Sequence, residues 1–457
     1  MNNQDTIAAI ATAPGEAGLC IIRISGRAAL DVADRVFLGS LPLSKSRSHT
    51  VHYGKIVDPS DHETIDEVLV TVMRAPRTFT CEDVVEISGH GGHRPGNRIL
   101  GTLLKNGARL AEPGEFTKRA FLNGRLDLLQ AEAVAELIRS RTDSGIRAGL
   151  RQLSGEFSQR VKRLRADILS LASLIEVGLD FTEEDIDEIS YQHFGVLTIE
   201  IVSALDLLID KAGHWRSLRD GVRIVIVGRP NVGKSSLLNR FVGDDRAIVD
   251  PMPGTTRDTI EVSFDCRGVP VSMVDTAGIR PAGGGVESKG IDRTLLELES
   301  ADLYIWVVDG SEQLQVSDTA VWRFLDPTRT ICVINKSDMP VQFESAILSD
   351  IGVEVFTRIS ALNGNGCEAI LDLLYERLTG NTDLSLSEAL VNVRHMDCLR
   401  RARVGMCGVR DGLRDGLSQD IVAHEVKGVL GVLDELLGTN IGDDLLDQIF
   451  SSFCIGK

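Results

Sequence analysis

The pattern of hydrophobic and polar positions divides the chain into four stretches. Up to about residue 118, short apolar runs predict strands with a helix between them, which is typical of an α+β domain. Amphipathic patterns of helical period follow to about residue 216 and resume after residue 377. Between the two helical stretches, apolar runs typical of buried strands alternate with helical patterns, which indicates an α/β domain.

Because helical patterns flank the α/β stretch, we predict that one domain is inserted into another. The expected segments are an N-terminal α+β domain over residues 1–118, a helical domain over 119–216 and 378–457, and an inserted α/β domain over 217–377. The predicted strands are residues 6–11, 18–24, 68–73, 84–87, 224–227, 260–266, 269–274, 303–308, 330–334 and 353–359. The predicted helices are residues 28–37, 126–138, 148–178, 192–216, 236–241, 385–415 and 420–437, and a last helix with Leu445, Leu446, Ile449 and Phe450 on one face.

Length and charge narrow the class of protein. With 457 residues the chain is too long for a single hydrophobic core. Its net charge of −17 argues against general affinity for nucleic acid, so any RNA contact requires a local basic patch. No stretch reaches the ~18 uninterrupted apolar residues of a membrane helix, and the N-terminus lacks a signal-peptide pattern. We therefore expect a cytoplasmic protein with no membrane partner.

The eight cysteines are scattered singly, without any C-x-x-C pair. This spacing indicates neither a zinc site nor a disulfide framework, and it fits a reducing compartment. Most are expected to be small buried apolar residues, whereas Cys454 lies four residues from the end and is expected to be exposed. A prenylation signal is a poor fit there, because Gly456 and Lys457 occupy its last two positions.

The most informative motif is GRPNVGKS at residues 228–235, between the predicted strand 224–227 and the helix that follows. Strand, glycine-rich turn and helix form the context in which this pattern predicts a phosphate-binding P-loop. Lys234 is expected on the β- and γ-phosphates, and the Ser235 hydroxyl on Mg²⁺.

Further motifs follow in order at the carboxyl ends of predicted strands, where open α/β sheets bind ligands. They are GTTRD at residues 254–258, DTAG at 275–278, NKSD at 335–338 and SA at 360–361. Asp275 fits the role of holding Mg²⁺, and Asp338 can accept two hydrogen bonds from guanine that adenine cannot supply. The set predicts a Ras-like G domain with a mostly parallel sheet that selects GTP over ATP.

Two features of common GTPases are missing. Ile279, rather than glutamine, follows Gly278, and the sequence offers no obvious arginine finger. Asn231 inside the P-loop is a candidate ligand for a second cation, and Glu287 is a candidate for positioning the attacking water.

Several charged residues allow two interpretations. Arg23 and Glu86 stand in apolar strands and are either exposed or paired, and spacing alone favours exposure. His90 and His93 are either a metal pair or, more simply, part of tight glycine-rich backbone. A basic helical stretch is favoured as a solvated face over an RNA contact; it contains Arg160, Lys162, Arg163 and Arg165.

Taken together, these motifs resemble the MnmE (TrmE) family of tRNA wobble-uridine modification GTPases. The resemblance runs essentially end to end and rests on GRPNVGKSS, GTTRD, DTAG, NKSD, FTCEDVVEISGHGG, GEFTKRAFLNGRLDL and the terminal CIGK. It implies an N-terminal domain that dimerises and binds a 5-formyl- or methylene-tetrahydrofolate cofactor through Arg23, Glu86, Arg125 and Lys457. The family usually has lysine at position 125, and arginine keeps the charge but changes the hydrogen-bond geometry. Cys454 would serve tRNA modification but not GTP hydrolysis.

The resemblance also implies that G domains pair across the dimer when GTP and K⁺ bind, so that K⁺ replaces an arginine finger. Lys234 and Glu287 would then be the catalytic residues of hydrolysis. The implied K⁺ ligands are Asn231, Asp250, Met252 and Thr255, and the implied Mg²⁺ ligands are Ser235 and Thr256. The residues expected around GTP are Asn231, Val232, Gly233, Lys234, Ser235, Ser236, Asp250, Pro251, Met252, Pro253, Gly254, Thr255, Thr256, Asp275, Thr276, Ala277, Gly278, Asn335, Lys336, Asp338, Ser360 and Ala361.

Two departures from the family pattern stand out. Position 250 is commonly threonine in relatives; aspartate is harmless if its carbonyl alone binds K⁺, but an inward carboxylate would change K⁺ affinity or selectivity. Residues 93–98 read HRPGNR where relatives continue an apolar helix, which puts the local shape in question.

The expected activity is GTP hydrolysis in complex with an MnmG/GidA-type partner that uses FAD and NADH. The two proteins would form a heterotetramer that installs a carboxymethylaminomethyl-type group at C5 of the wobble uridine of certain tRNAs. A second hypothesis is an Era- or Der-type switch that acts in ribosome assembly or regulation. The GEFTKRAFLNGRLDL and CIGK stretches argue against it. A third is a nucleotide sensor without turnover, for which Glu287→Ala would leave hydrolysis unaffected.

Overall fold

A computed structural model describes residues 5–180, 188–213, 221–241, 243, 261–275, 298–342, 346–379 and 391–457. The chain forms two compact units. The first contains Met1–Ile138, Leu150–Asp206 and Asp397–Lys457, and the second contains Arg139–Gly149 and Leu207–Met396. Within the described ranges, no helix combines the length and apolarity needed to cross a bilayer.

Strands predominate in the N-terminal region, a run of five helices follows β7, and strands and helices are mixed from β8 to α11. The strands are β1 (Ile7–Ile10), β2 (Leu19–Ser25), β3 (Phe37–Gly39), β4 (Thr50–Val57), β5 (Thr64–Met73), β6 (Val84–His90), β7 (Arg109–Leu110), β8 (Val222–Val227), β9 (Glu261–Cys266), β10 (Val269–Asp275), β11 (Leu303–Asp309), β12 (Thr330–Asn335) and β13 (Phe356–Arg358). The α-helices are α1 (Ala29–Val36), α2 (His93–Lys105), α3 (Glu115–Leu122), α4 (Leu128–Arg139), α5 (Asp143–Leu153), α6 (Glu156–Asp180), α7 (Glu188–Gly213), α8 (Lys234–Phe241), α9 (Val316–Trp322), α10 (Ala346–Asp350), α11 (Cys367–Thr379), α12 (Val393–Arg414), α13 (Gln419–Leu437) and α14 (Asp443–Ser451).

The first unit contains a seven-stranded sheet in the order β3-β4-β5-β6-β2-β1-β7. Alternate side chains of its strands point to opposite faces. One face packs against α1 and α2 and forms the hydrophobic core of the N-terminal region. On the other face five large apolar side chains are 48–65% exposed, and we call these residues the open sheet face: Leu19, Leu38, Val51, Tyr53 and Leu69.

Arg23 and Glu86 are paired rather than exposed, so the expectation from spacing was wrong. They lie directly opposite each other on β2 and β6. The Arg23 Nε and Glu86 Oε1 atoms are 2.7 Å apart, and the side chains are only 19% and 25% exposed. The period of a single strand cannot reveal a cross-strand partner, because the partner is 63 residues away in sequence.

A glycine interrupts the helix predicted over residues 148–178. Helix α5 ends at Leu153, Gly155 has a φ of +88°, and α6 begins at Glu156. A φ in this left-handed region favours glycine, so the chain turns there instead of continuing the helix. The helix predicted over 385–415 begins at Val393 in the structure, and residues 385–390 lie outside the described ranges.

Three of the four cations in the basic stretch of α6 form ion pairs with acidic side chains of this protein. Such pairing favours a role in the fold over an RNA contact. Arg160 pairs with Glu156, Lys162 with Asp127 and Arg165 with Asp434. The last pair joins α6 to α13, and the hydrogen bond from Arg165 lowers the pKa of the Asp434 carboxyl.

The second unit contains a six-stranded sheet in the order β13-β12-β11-β8-β10-β9. Every neighbouring pair is parallel except the hairpin of β9 and β10. Strands β11 and β12 are buried along their whole length, as apolar runs covered on both faces require. The carboxyl ends of β8, β10, β11 and β12 therefore meet at one edge of the sheet, where the predicted motifs lie.

Candidate active site

The P-loop connects β8 to α8 with the backbone that a phosphate-binding turn needs. Asn231 and Gly233 have φ values of +68° and +100°. A Cβ at Gly228 would lie 2.3 Å from the Val307 carbonyl oxygen, and one at Gly233 would lie 2.1 Å from Asn335 Nδ2. Both positions therefore require glycine, because neighbouring elements approach the loop too closely for a side chain.

Lys234 lies at the first position of α8 and is 5% exposed. Its Nζ donates hydrogen bonds of 2.7 Å to the carbonyl oxygens of Gly228 and Arg229. The ammonium group is thus held within the loop, where phosphate oxygens of a bound nucleotide can replace these carbonyls as acceptors.

Ser235 and Asp275 provide two hard oxygen ligands side by side. The Ser235 Oγ donates a 2.6 Å hydrogen bond to Asp275 Oδ2, and Asp275 is fully buried at the end of β10. Mg²⁺ prefers carboxylate and hydroxyl oxygens of this kind, so the residues present fit Mg²⁺. Thr256, the other expected ligand, lies outside the described residues.

The Asn335 side chain hydrogen-bonds both to the P-loop and to the loop that contains Ala361. Its Nδ2 donates to the Val232 carbonyl at 2.8 Å, and its Oδ1 accepts from the Ala361 amide at 2.9 Å. Nearby, Ser360 Oγ donates to Asp338 Oδ1 at 2.5 Å. The structure therefore brings Asn335, Asp338, Ser360 and Ala361 together, as the motifs predict.

Lys336, between these residues, has a φ of +65° and forms an ion pair with Asp309 at the end of β11. Burial alone would raise the pKa of Asp309, but hydrogen bonds from Lys336 and Ser311 outweigh this effect and hold the pKa below its usual value. The carboxylate is therefore ionised and anchors Lys336 beside the guanine-binding loop.

Sequence analysis missed the role of Arg229, the second residue of the P-loop. Its Nε donates to Asp318 Oδ1 at 2.7 Å and its Nη2 to Glu312 Oε2 at 3.2 Å. Asp318 is 1% exposed and also accepts a hydrogen bond from the Gln315 amide at the start of α9. This link ties the P-loop to α9. No sequence signal marks it, because Asp318 lies 89 residues away.

The C-terminal residues dock on the N-terminal region within the first unit. The Gly456 carbonyl accepts a 3.2 Å hydrogen bond from Arg23 Nη1, and the Lys457 carbonyl accepts one of 3.2 Å from the Phe116 amide. The Arg23 guanidinium also lies over the Phe116 ring, 5.6 Å from its centroid. The structure thus brings together Arg23, Glu86 and the terminal residues.

Arg125 makes its contacts with a different segment. Its Nη1 donates to the Thr78 carbonyl at 2.8 Å, and its guanidinium lies 5.1 Å from the centroid of the Phe79 ring.

Cys454 is exposed, as expected, and lines a cavity of about 430 Å³. The Cys454 carbonyl accepts a 3.3 Å hydrogen bond from the Gly114 amide. Residues 93–98, which differ from the family's usual apolar helix, are still helical, because α2 begins at His93 and includes them. The cavity is lined by Ile10, Thr12, Ala13, Pro14, Gly15, Leu19, Cys20, Gly92, His93, Asn97, Leu100, Leu110, Cys454 and Ile455.

The metal interpretation of His90 and His93 gains no support. His90 Nδ1 lies 2.7 Å from Asp66 Oδ1, and this carboxylate raises the pKa of His90. Among the residues described, no group of three or more His, Cys, Asp or Glu side chains is arranged to hold a metal ion.

The remaining predicted site residues lie outside the described ranges. They are Asp250, Pro251, Met252, Pro253, Gly254, Thr255, Thr256, Thr276, Ala277, Gly278 and Glu287.

A P-loop with Lys234 and Ser235 in place, joined through Asn335 to a guanine-binding loop on a mostly parallel sheet, defines a P-loop GTPase. Family models described as the N-terminus of the GTP-binding protein TrmE and as the MnmE helical domain match residues 6–125 and 128–454. The chain belongs to the MnmE family of tRNA modification GTPases, as the motifs indicated.

Curated relatives match along the whole chain. The tRNA modification GTPase MnmE of Listeria innocua is 42% identical over 456 residues, and that of Heliobacterium modesticaldum is 43% identical over 463 residues; each alignment covers 99% of both chains. Among solved structures, the G domain of the T. maritima FeoB iron transporter is 24% identical, with a TM-score of 0.28, over 34% of this chain and 98% of that one.

Proposed function

We propose that this GTPase acts in tRNA modification, together with an FAD- and NADH-using MnmG/GidA-type partner. The product is a carboxymethylaminomethyl-type group at C5 of the wobble uridine. The observation that carries the proposal is the docked C-terminus: Gly456, two residues after the exposed Cys454, accepts a hydrogen bond from Arg23, which is itself paired with Glu86. A switch GTPase that only binds a partner has no use for this arrangement.

GTP hydrolysis is assigned to the second unit. Lys234 binds the β- and γ-phosphates, Ser235 and Asp275 hold Mg²⁺, and Asp338 recognises guanine. Bound Mg²⁺ supplies positive charge against the charge that develops on the phosphates. Glu287 orients the attacking water and Thr256 completes the Mg²⁺ site; both assignments rest on the family resemblance.

The first unit has side chains suited to a tetrahydrofolate. Glu86 is a half-buried carboxylate that can accept two hydrogen bonds from a pterin amide edge, and the Phe116 ring beside Arg23 offers a flat apolar surface. Arg125 offers a planar cation suited to the carboxylates of a glutamyl tail, and Lys457 adds a second positive charge. The residues present therefore fit this cofactor.

A homodimer is supported by the open sheet face. Tyr53 and Leu69 are cross-strand partners on adjacent strands, and their side chains are 65% and 48% exposed. An apolar surface of this kind on a sheet marks a protein–protein contact. We assign it to a second copy of the chain.

The modification function is tested by mass spectrometry of tRNA from a strain in which the gene is deleted. Wobble uridines that normally carry the group are expected to lack it, and the wild-type gene is expected to restore it. If the deletion leaves these uridines unchanged, the alternative of an Era- or Der-type ribosome-assembly switch gains support. In that case the ribosomal subunits of the same strain would show a defect in assembly.

Potassium is expected to stimulate GTP hydrolysis by at least about tenfold relative to sodium at equal ionic strength, because a fixed cation near the γ-phosphate stabilises the transition state. Of the four proposed K⁺ ligands, Asn231 lies within the described residues, where it has a φ of +68° in the P-loop. Steady-state hydrolysis in KCl and NaCl measures the effect, and Asn231→Ala should reduce the ratio of the two rates. Equal rates with the wild-type protein would contradict K⁺ activation and point to Asp250 or to activation by a partner.

A further inference from the structure

Four cationic side chains lie at one edge of the seven-stranded sheet. Ser25 at the end of β2 pairs with Val84 at the start of β6, and Val84 pairs with Met73 at the end of β5. Thr50 at the start of β4 pairs with Val72 of β5. These four strand ends therefore share one edge. The loops beside them carry what we call the basic edge: Arg27, Lys45, Arg47 and Arg77.

All four side chains of the basic edge belong to exposed residues, and none forms an ion pair with another residue in the described part of the chain. Three acidic side chains near these loops accept hydrogen bonds from other groups. Asp83 accepts a hydrogen bond from the Ala75 amide, and Glu82 accepts from Ser25 and Arg119. Asp34 accepts from the amides of Leu43 and Ser44. The four cations of the basic edge therefore make no direct ion pair within the described ranges, although Asp83 and Asp34 keep their negative charge, in a chain whose net charge is −17.

Arg74 holds the segment that presents two of these cations. Its Nη2 donates to the carbonyl oxygens of Ser44 and Ser46 at 2.5 and 3.1 Å, and its amide donates to Ser48 Oγ at 2.9 Å. These bonds fix the chain between residues 44 and 48, so Lys45 and Arg47 project from an ordered backbone rather than from a loose loop. Because Arg74 already orders residues 44–48, this segment loses less conformational entropy when the surface binds a ligand.

We propose that the basic edge binds the phosphate backbone of the tRNA. This inference rests on the proposed function, which supplies the RNA. Four neighbouring strands about 4.8 Å apart span about 14 Å, which is wide enough to meet several successive phosphates of one strand. A chain with a strongly negative total charge needs such a local patch to hold a polyanion. Contacts of Arg and Lys with phosphates fix the register and orientation of a nucleic acid and carry no sequence information, so we assign the basic edge to positioning of the RNA.

The test compares two quadruple variants of the full-length protein. The first replaces Arg27, Lys45, Arg47 and Arg77 with glutamine. The matched control removes the same charge at exposed positions outside this edge by replacing Lys55, Arg94, Arg323 and Arg400 with glutamine. Binding of a fluorescently labelled tRNA transcript is measured over a salt titration. Circular dichroism and thermal unfolding of both variants show whether they are folded, and GTP hydrolysis shows whether the second unit is intact.

The basic-edge variant is expected to bind the transcript at least about tenfold more weakly than the wild type at the same salt concentration. Its log Kd should depend less steeply on log salt, with a slope smaller by about 2 to 4, since each lost phosphate contact removes about 0.7–0.9. The control variant should keep most of the wild-type affinity and slope. Both should hydrolyse GTP at the wild-type rate.

Three results would overturn the proposal: unchanged tRNA binding by the basic-edge variant, no tRNA binding by the wild type, and an equal loss in both variants, which would indicate only a general effect of charge. If tRNA binding is unchanged but the variant binds a pentaglutamyl peptide more weakly than the wild type, the edge is assigned to a folate tail instead. Failure of the proposed function itself is a separate result: wobble uridines would be unchanged in the deletion strain, whatever the basic edge binds.

Discussion

Replacing Asp338 with asparagine is expected to change the preferred nucleotide from GTP to xanthosine triphosphate. The Asp338 carboxylate lies beside Ser360 at the guanine-binding loop and can accept hydrogen bonds from guanine N1–H and the 2-amino group. Asparagine presents an NH₂ group where one acceptor was, and xanthine presents a carbonyl oxygen in place of the 2-amino group. Hydrogen bonds to a charged group contribute about 1.5–3 kcal/mol each, so kcat/KM for GTP should fall by at least about 100-fold.

The measurement is steady-state hydrolysis of both triphosphates by the wild type and by Asp338→Asn. The ratio of their kcat/KM values should invert, while kcat for the better substrate stays near the wild-type value, since Lys234, Ser235 and Asp275 are untouched. Asp350→Asn, an exposed carboxylate at the end of α10, is the matched control and should leave the ratio unchanged. An intact preference for GTP in Asp338→Asn would contradict the assigned role.

Replacing Gly456 with alanine is expected to abolish tRNA modification and to leave GTP hydrolysis intact. Gly456 has a φ of +91°, and a Cβ there would lie 2.4 Å from the Ile10 carbonyl oxygen. Neither the backbone conformation nor the space admits a side chain, so the C-terminal residues must move. The hydrogen bonds from Arg23 to Gly456 and from Phe116 to Lys457 would then be lost, and Cys454 would leave its place at the cavity.

A displacement of about 1 Å at a reacting group can reduce the rate about 100-fold, and the expected fall in wobble-uridine modification is at least that large. The readout is tRNA mass spectrometry after complementation of the deletion strain, with GTP hydrolysis of the purified protein measured in parallel. Gly428→Ala is the control, because a Cβ at this position on α13 meets no atom within 4 Å. Full modification by Gly456→Ala would show that the docked C-terminus is dispensable.

The sequence predicts the positions of the P-loop and guanine-loop residues well because each motif is local. Each motif directly follows a strand, so recognising the strand also locates the residues at its carboxyl end. The arrangement of Lys234, Ser235 and Asp275 follows from this rule. The same reasoning predicts the buried strands β11 and β12, whose continuous apolar runs indicate cover on both faces.

The features that it misses depend on partners distant in the chain. The Arg23–Glu86 pair and the Arg229–Asp318 link each join residues more than 60 positions apart, and their spacing carries no signal. The break at Gly155 was missed for another reason: one glycine within a helical pattern is tolerated often enough to leave the pattern unchanged. The folate residues were identified only through the family resemblance, and their role stays a prediction.

The position of Asn335 has a consequence for how the nucleotide leaves. The Asn335 side chain hydrogen-bonds to the P-loop through Val232 and to the predicted guanine-binding loop through Ala361, so this amide connects the two ends of the candidate nucleotide site. A disturbance at either end reaches the other through two hydrogen bonds. Release of the base and release of the phosphates are therefore expected to be coupled through this side chain.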